Sequence, residues 1–191
     1  MAEHYFTAAP SSDAPERTVP LRVAGRSLEL VTAAGVFSGD RVDAGTKVLL
    51  DHAPAPPATG TFLDLGCGYG PIACALAVRS PAATVVAVDV NERALDLCRR
   101  NTAALRNVVV VTDHDGPFDL IWSNPPIRIG KKALHELLSR WLERLADSGV
   151  AHLVVQRNLG SDSLQEWLQD NGFSASRLTS VRGYRILEVR R

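Results

Sequence analysis

The chain has 191 residues, 46% apolar and 22% charged, which suits one well-filled globular domain. Lys plus Arg and Asp plus Glu number 21 each, so no global field drives the protein onto a polyanion, and any such partner must meet a local patch. Three cysteines (Cys67, Cys74 and Cys98) without a CxxC pair argue against a disulfide framework or a metal site, and no run nears the ~18 apolar residues of a membrane helix, so a cytoplasmic protein is expected.

Residues 1–17 are polar and rich in Pro, Ser and Ala around Tyr5-Phe6, so a loose arm with at most one edge strand is expected there. Thr18 to Ala24 and Ser27 to Thr32 alternate weakly about Gly25-Arg26, as in a hairpin. Asp43 caps a short helix reaching about His52, which Ala53-Pro54-Ala55-Pro56-Pro57 ends as a linker. This divides a single domain into an N-terminal extension, residues 1–57, and a core, residues 58–191.

From Thr61 the pattern alternates between strand and helix. Strands are expected at Phe62 to Leu65, Thr84 to Val88, Val108 to Val111, Leu120 to Ser123 and Val150 to Val155. Helices are expected at Pro71 to Arg79, Glu92 to Leu105, Lys131 to Ala146 and Ser161 to Asp170. Ala175 to Val181 and Arg185 to Val189 close the chain as an antiparallel hairpin. Such alternation predicts a Rossmann-like α/β fold, a mostly parallel sheet with helices on both faces.

Two motifs follow apolar strands and so belong at the sheet edge where open α/β folds bind ligands. In Asp64-Leu65-Gly66-Cys67-Gly68-Tyr69-Gly70, the alternating glycines let the backbone turn and approach a nucleoside, and Pro71 suits the first position of a helix. Pro71 also occupies the third glycine position of a dinucleotide fingerprint, which favours S-adenosylmethionine over NAD. Asp89 lies about 20 residues beyond the glycines, the interval at which an acid meets ribose hydroxyls; the rival role is a helix cap. Asp113 ends the third strand and competes with Asp115 for an adenine amine. Cys67 is read as a small filler rather than a nucleophile.

In the second motif, Ser123-Asn124-Pro125-Pro126-Ile127, the Asn124 side chain and the Pro125 carbonyl offer two acceptors on a stiff loop. Two acceptors match a planar amine with two hydrogens: holding both would aim the nitrogen at an electrophilic methyl and stabilise the positive charge that develops there. Arg128, Lys131 and Lys132 follow at once, and Arg182 and Arg185 flank the closing turn, so both groups are placed to hold phosphates.

With these residues the chain resembles the class I S-adenosylmethionine-dependent methyltransferases, and among them the ribosomal RNA guanine amino-methyltransferases of the RsmC type. The resemblance rests on Gly35-Val36-Phe37-Ser38, Asp43-Ala44-Gly45-Thr46, the Asp64 to Gly70 loop, Asp89-Val90-Asn91-Glu92-Arg93-Ala94, Asn124 to Lys132 and Gly183-Tyr184-Arg185-Ile186-Leu187. It implies a seven-stranded sheet with the last strand antiparallel. Cofactor contacts would come from Asp64, Gly66, Cys67, Gly68, Gly70, Asp89, Val90 and Asp113, with Phe37 and Thr46 closing over them. Asn124 and Pro125 would take the amine, and Pro126, Ile127, Arg128, Lys131 and Lys132 would adjoin the substrate. Longer members carry a second, inactive methyltransferase-like domain that helps bind RNA, and many amino-methyltransferases have an aromatic residue where Ile127 stands.

The expected activity is methyl transfer to an exocyclic amine, foremost that of guanine in ribosomal RNA, with RNA or the ribosomal subunit as partner. The same acceptors suit adenine, a protein glutamine or a small-molecule amine, and a non-catalytic module that binds cofactor or RNA is the alternative of a different class. The pattern specifies no oligomeric state.

Overall fold

The computed structural model describes residues 15–36 and 41–191. The arm expected at residues 1–17 and the position of Phe37 lie almost wholly or wholly outside these residues. A two-stranded hairpin, β1 (Glu16–Val23) and β2 (Arg26–Ala33), precedes α1 (Ala44–His52). The remaining elements are β3 (Thr61–Leu65), α2 (Pro71–Arg79), β4 (Thr84–Val88), α3 (Glu92–Thr102), β5 (Val108–Val111), β6 (Phe118–Ser123), α4 (Lys131–Leu142), β7 (Leu145–Gln156), α5 (Ser161–Asp170), β8 (Ser174–Val181) and β9 (Tyr184–Arg190). Among the described residues seven strands form one sheet in the order β5-β4-β3-β6-β7-β9-β8. All neighbouring pairs from β5 to β7 are parallel, and β9 runs antiparallel to both β7 and β8. This is the Rossmann-like sheet with an antiparallel last strand.

The central strands are apolar nearly throughout because both sheet faces are covered. Phe62, Ala87, Trp122 and Val154 pack with residues of α1, α2, α3 and the hairpin, while Leu63, Val86, Ile121 and Leu153 pack with residues of α4 and α5. Local chemistry starts the helices: Asp43 caps α1, Pro71 opens α2, and Asn91 caps α3 through a bond from the Ala94 N–H. Asn101 ties the hairpin to the core. Its Oδ1 accepts from the Val31 N–H, and its Nδ2 donates to the Val31 and Tyr69 carbonyls, all at 2.8 Å.

Two helices stop earlier than their apolar spacing predicts. The one expected to run from Lys131 to Ala146 ends at Leu142, because Leu145 pairs with Phe118 as the start of β7 while keeping its side chain in the core. The one expected to reach Leu105 ends at Thr102, whose hydroxyl turns back onto the Cys98 carbonyl at 2.7 Å.

Candidate functional site

The two motifs meet because their parent strands are neighbours in register. Leu65, the last residue of β3, pairs with Ser123, the last of β6, and the Ser123 hydroxyl donates to the Leu65 carbonyl at 2.7 Å. The glycine loop and Asn124 therefore leave the sheet side by side. A cavity of about 420 Å³ joins them, lined by Gly66, Cys67, Gly68 and Asp89 at one end and by Asn124 and Pro125 at the other. This volume lies within the range of small-ligand sites.

The three glycines of the loop do different things. Each has positive φ, +75° at Gly66, +54° at Gly68 and +94° at Gly70. A Cβ at Gly66 or Gly68 would meet nothing in the protein, whereas one at Gly70 would stand 2.8 Å from Cys98 Sγ. The first two keep a cradle open for a ligand; Gly70 allows α2 to pack on α3 and does not line the cavity.

Asp89 fixes the loop. Its Oδ2 accepts from the Gly68 N–H at 2.9 Å and its Oδ1 from the Asn91 N–H at 2.9 Å. Burial raises the carboxyl pKa against the pull of these N–H groups and of that of Val90. The cap of α3 falls to Asn91 rather than to Asp89. Val90, 58% exposed, lines the same wall.

Asp64 lies under the loop rather than in it. It is fully buried, its Oδ2 accepts from the Ala73 N–H at 2.8 Å, and its Oδ1 has no partner among the described residues. Burial pushes its pKa to about 8, the Ala73 N–H opposing and the Asp89 charge adding to the shift. Cys67 also lines the cavity, and its thiol pKa is raised by a hydrogen bond with Cys98 and by burial, which suits a filler.

The amide of Asn124 is held by the start of α1, whose Asp43 and Thr46 line the same cavity. Its Nδ2 donates to Asp43 Oδ2 at 2.7 Å and to Thr46 Oγ1 at 3.2 Å. Both amide hydrogens are thereby used, the orientation is fixed by partners that accept, and Oδ1 is left for a donor from outside. The same Asp43 oxygen accepts from the Gly45 and Thr46 N–H groups, so helix capping and amide orientation are one cluster. Thr46, expected over the cofactor, lines the cavity and spends its hydroxyl on Asn124. The Pro125 carbonyl accepts from the Ile127 N–H at 2.8 Å, which pins its direction and leaves a second lone pair.

Other expected residues are placed differently. Asp113 does not reach the cavity: its carboxylate is held by Arg144 at 2.6 Å and Arg140 at 2.5 Å, and its pKa is lowered chiefly by the Arg144 bond. Arg140 itself lines the wall, so Asp113 acts on the site only through it, and Thr112 stands where the acid was expected. Asp115 does not line it either. Pro126, Ile127 and Arg128 do, but Lys131 and Lys132 sit beyond the rim at the start of α4. Arg185 is paired with Asp162 and with the Ser161 hydroxyl.

Tyr184 is the residue that sequence reasoning undervalued. It enters the cavity from β9, and a Cβ on Gly45 would come within 3.0 Å of its ring, so it stands against the start of α1 beside the Asp43 cluster. The Gly183-Tyr184 string marked it without revealing that β9 inserts next to β7.

Comparison with known proteins places the family and the fold. The family model for the methyltransferase small domain matches residues 27–188. Over all of both chains the sequence is 34% identical to the uncharacterized protein YbxB of Bacillus subtilis (strain 168). It is 33% identical to the ribosomal RNA small subunit methyltransferase C of Shewanella sediminis (strain HAW-EB3), over 83% of this chain and 49% of that one. Among solved structures, the T. thermophilus 16S rRNA N2 G1207 methyltransferase (RsmC) in complex with AdoMet and guanosine superimposes with a TM-score of 0.78 at 24% identity, covering 95% of this chain and 52% of that one. The chain thus spans about half the length of these RsmC proteins. With the family model covering most of its length and both motifs opening into one cavity, the chain belongs to the methyltransferase small domain family.

Proposed function

We propose that the protein binds S-adenosylmethionine and methylates the exocyclic amine of a guanine in ribosomal RNA, as a cytoplasmic enzyme. The observation that carries this reading is the Asn124 amide: its Nδ2 is held by Asp43 and Thr46, which leaves its oxygen unspent, and the residue lines the cavity that the glycine loop opens. A site built this way asks for a donor with two hydrogens in one plane. The RsmC proteins, which resemble this chain over most of its length, supply the choice of guanine in ribosomal RNA.

The residues present fit the cofactor. The cradle left by Gly66 and Gly68 takes a flat nucleoside, Asp89 keeps lone pairs for ribose hydroxyls, and apolar Val36, Ile72 and Leu137 line the cavity around them. When bound, S-adenosylmethionine supplies an electrophilic methyl on a sulfonium. Asn124 Oδ1 and the Pro125 carbonyl would accept the two amine hydrogens, which would orient the amine so that its nitrogen lone pair lies along the axis of attack. Accepting that methyl would place positive charge on the nitrogen. Asn124 Oδ1 would meet that charge, reinforced by the Asp43 carboxylate bonded to the amide. The extra proton then leaves to water, so no strong base is required. Tyr184 and Ile127 line the remaining approach, an aromatic and an aliphatic wall for a flat base.

Tritiated methyl transfer from S-adenosylmethionine to undermodified small ribosomal subunits tests this. Label in methylguanosine after nucleoside digestion is expected; label confined to methyladenosine or to protein would overturn the guanine assignment. Asn124→Ala should lower turnover by about 10²–10³-fold while calorimetric cofactor binding stays near wild type.

A further inference from the structure

The edge of the sheet that carries the site is electrically divided. Asp89, Asp113 and Asp115 follow β4 and β5 at one end. At the other, Arg128, Lys131 and Lys132 follow β6, Arg157 follows β7, and Arg182 sits in the turn between β8 and β9. Because β9 runs antiparallel to β7 with Tyr184 opposite Gln156, that turn lies at the same edge as the ends of β6 and β7. Arg157 and Arg182 flank a single backbone bond, from the Arg157 N–H to the Gly183 carbonyl at 2.8 Å. All five cations are exposed.

These cations are left over after the local acids are used. Asp162 is taken by Arg185, and Asp113 by Arg140 and Arg144. Lys132 has only Glu136, 3.9 Å away, and among the described residues Arg128, Lys131, Arg157 and Arg182 pair with no carboxylate. Lys131 and Lys132 also occupy the first turn of α4, which has no side-chain cap and no acid there. Cations in a first turn oppose the helix dipole, so their position is not explained by the stability of the helix. In a chain of zero formal net charge, this concentration is local.

We infer that this row, from Arg128 and the α4 lysines through Arg157 to Arg182, is the track for the phosphate backbone of a single-stranded RNA segment whose target nucleoside enters the cavity. The inference rests on the RNA substrate proposed above. Strands β6, β7, β9 and β8 lie side by side at about 4.8 Å spacing, so the row runs roughly perpendicular to them and away from the cofactor end. Arg128 is its innermost member because it also lines the cavity. Leu159, 41% exposed and two residues beyond Arg157, lines the mouth, an apolar edge past which a base can turn inward.

The test compares wild type with Arg157→Gln/Arg182→Asn. Arg182 has φ +51°, and Asn accepts that conformation more readily than Arg, so this substitution removes charge without burdening the turn. Arg106→Gln, exposed before β5 at the opposite edge of the sheet, is the control. Binding of a fluorescent single-stranded oligoribonucleotide is followed across salt concentrations, with KM and kcat measured on undermodified small subunits and cofactor affinity by calorimetry. For the double variant we expect RNA affinity at least about tenfold weaker, a salt dependence shallower by about 0.7 for each cation removed, and a raised KM with kcat and cofactor affinity unchanged. The control should match wild type. If wild type methylates RNA and the double variant equals it in affinity, salt slope and KM, the track is wrong although the activity stands. A wild type that binds cofactor but neither binds nor methylates RNA removes the activity reading and the track with it.

Discussion

Asn124 and Asp43 show how a residue's function can be set by a partner far along the chain. They are 81 positions apart, yet a 2.7 Å bond makes the carboxylate that caps α1 the device that turns the amide. Asp43→Ala should therefore have two separable effects. Loss of the cap should cost about 1 kcal/mol, read as a lower melting temperature, and a loosened amide should lower kcat by up to about 100-fold with little change in cofactor affinity. Asp64 gives a pH prediction of definite sign. Its pKa is raised from an ordinary 3.8 to about 8, so between those values the unfolded chain is ionised while the folded protein keeps the proton. Its contribution to stability is full below about pH 4, falls as pH rises, and levels off above about pH 8. Melting temperatures of Asp64→Asn relative to wild type should accordingly rise across that window and then plateau. Asn124 and Asp89 were legible from the sequence because each follows an apolar strand by a set number of residues. The placement of Asp113 was not, because the arginines that capture it are Arg140 on α4 and Arg144 just past its end, and only packing brings them beside the end of β5.

The glycine loop makes the case at the scale of one element, a strand-to-helix turn with two kinds of glycine. Gly68→Ala should cost only about 1 kcal/mol of stability, from its left-handed φ of +54° and not from a clash, since its Cβ would face open space, but should lose about tenfold or more in cofactor affinity by calorimetry. Gly70→Ala should do the reverse. A Cβ 2.8 Å from Cys98 Sγ, at a φ of +94°, should lower the melting temperature by an amount matching about 1–3 kcal/mol before any effect on binding. The boundaries of α1, α2, β4, β5 and α5 were readable because caps, prolines and β-branched runs mark them locally. The end of α4 was not, since Leu145 satisfies the helical spacing and the strand pairing alike, and contact with Phe118 decides between them. Tyr184 was visible as part of a string, but its place in the cavity depends on β9 inserting between β7 and β8, which no local pattern encodes.

At the scale of the molecule, the hairpin and α1 are part of the site's support. Asn101 on α3 holds β2 and the Tyr69 carbonyl at once, and Asn91 Nδ2 donates to the Gly35 carbonyl at 3.2 Å, so the end of the hairpin is fastened beside the glycine loop. Asn101→Ala leaves three backbone groups without this partner. It should lower stability by about 1–3 kcal/mol and speed amide exchange in β1 and β2 before the seven-stranded sheet loosens. The family model begins at residue 27, inside β2, in keeping with this attachment. Strand alternation announced the parallel sheet, whereas long-range ties such as Asn101 to Val31 leave no periodic trace.

One consequence follows from the grip on Asn124. Asp43 and Thr46, which orient the Asn124 amide, reach the pocket from outside the alternating strand and helix pattern that carries the glycine loop. On the proposed function, holding the donor and aiming the acceptor fall to separate stretches of chain. A ligand or mutation that shifts the first turn of α1 would leave a protein that still captures its cofactor yet delivers nothing, a loaded enzyme with its safety engaged.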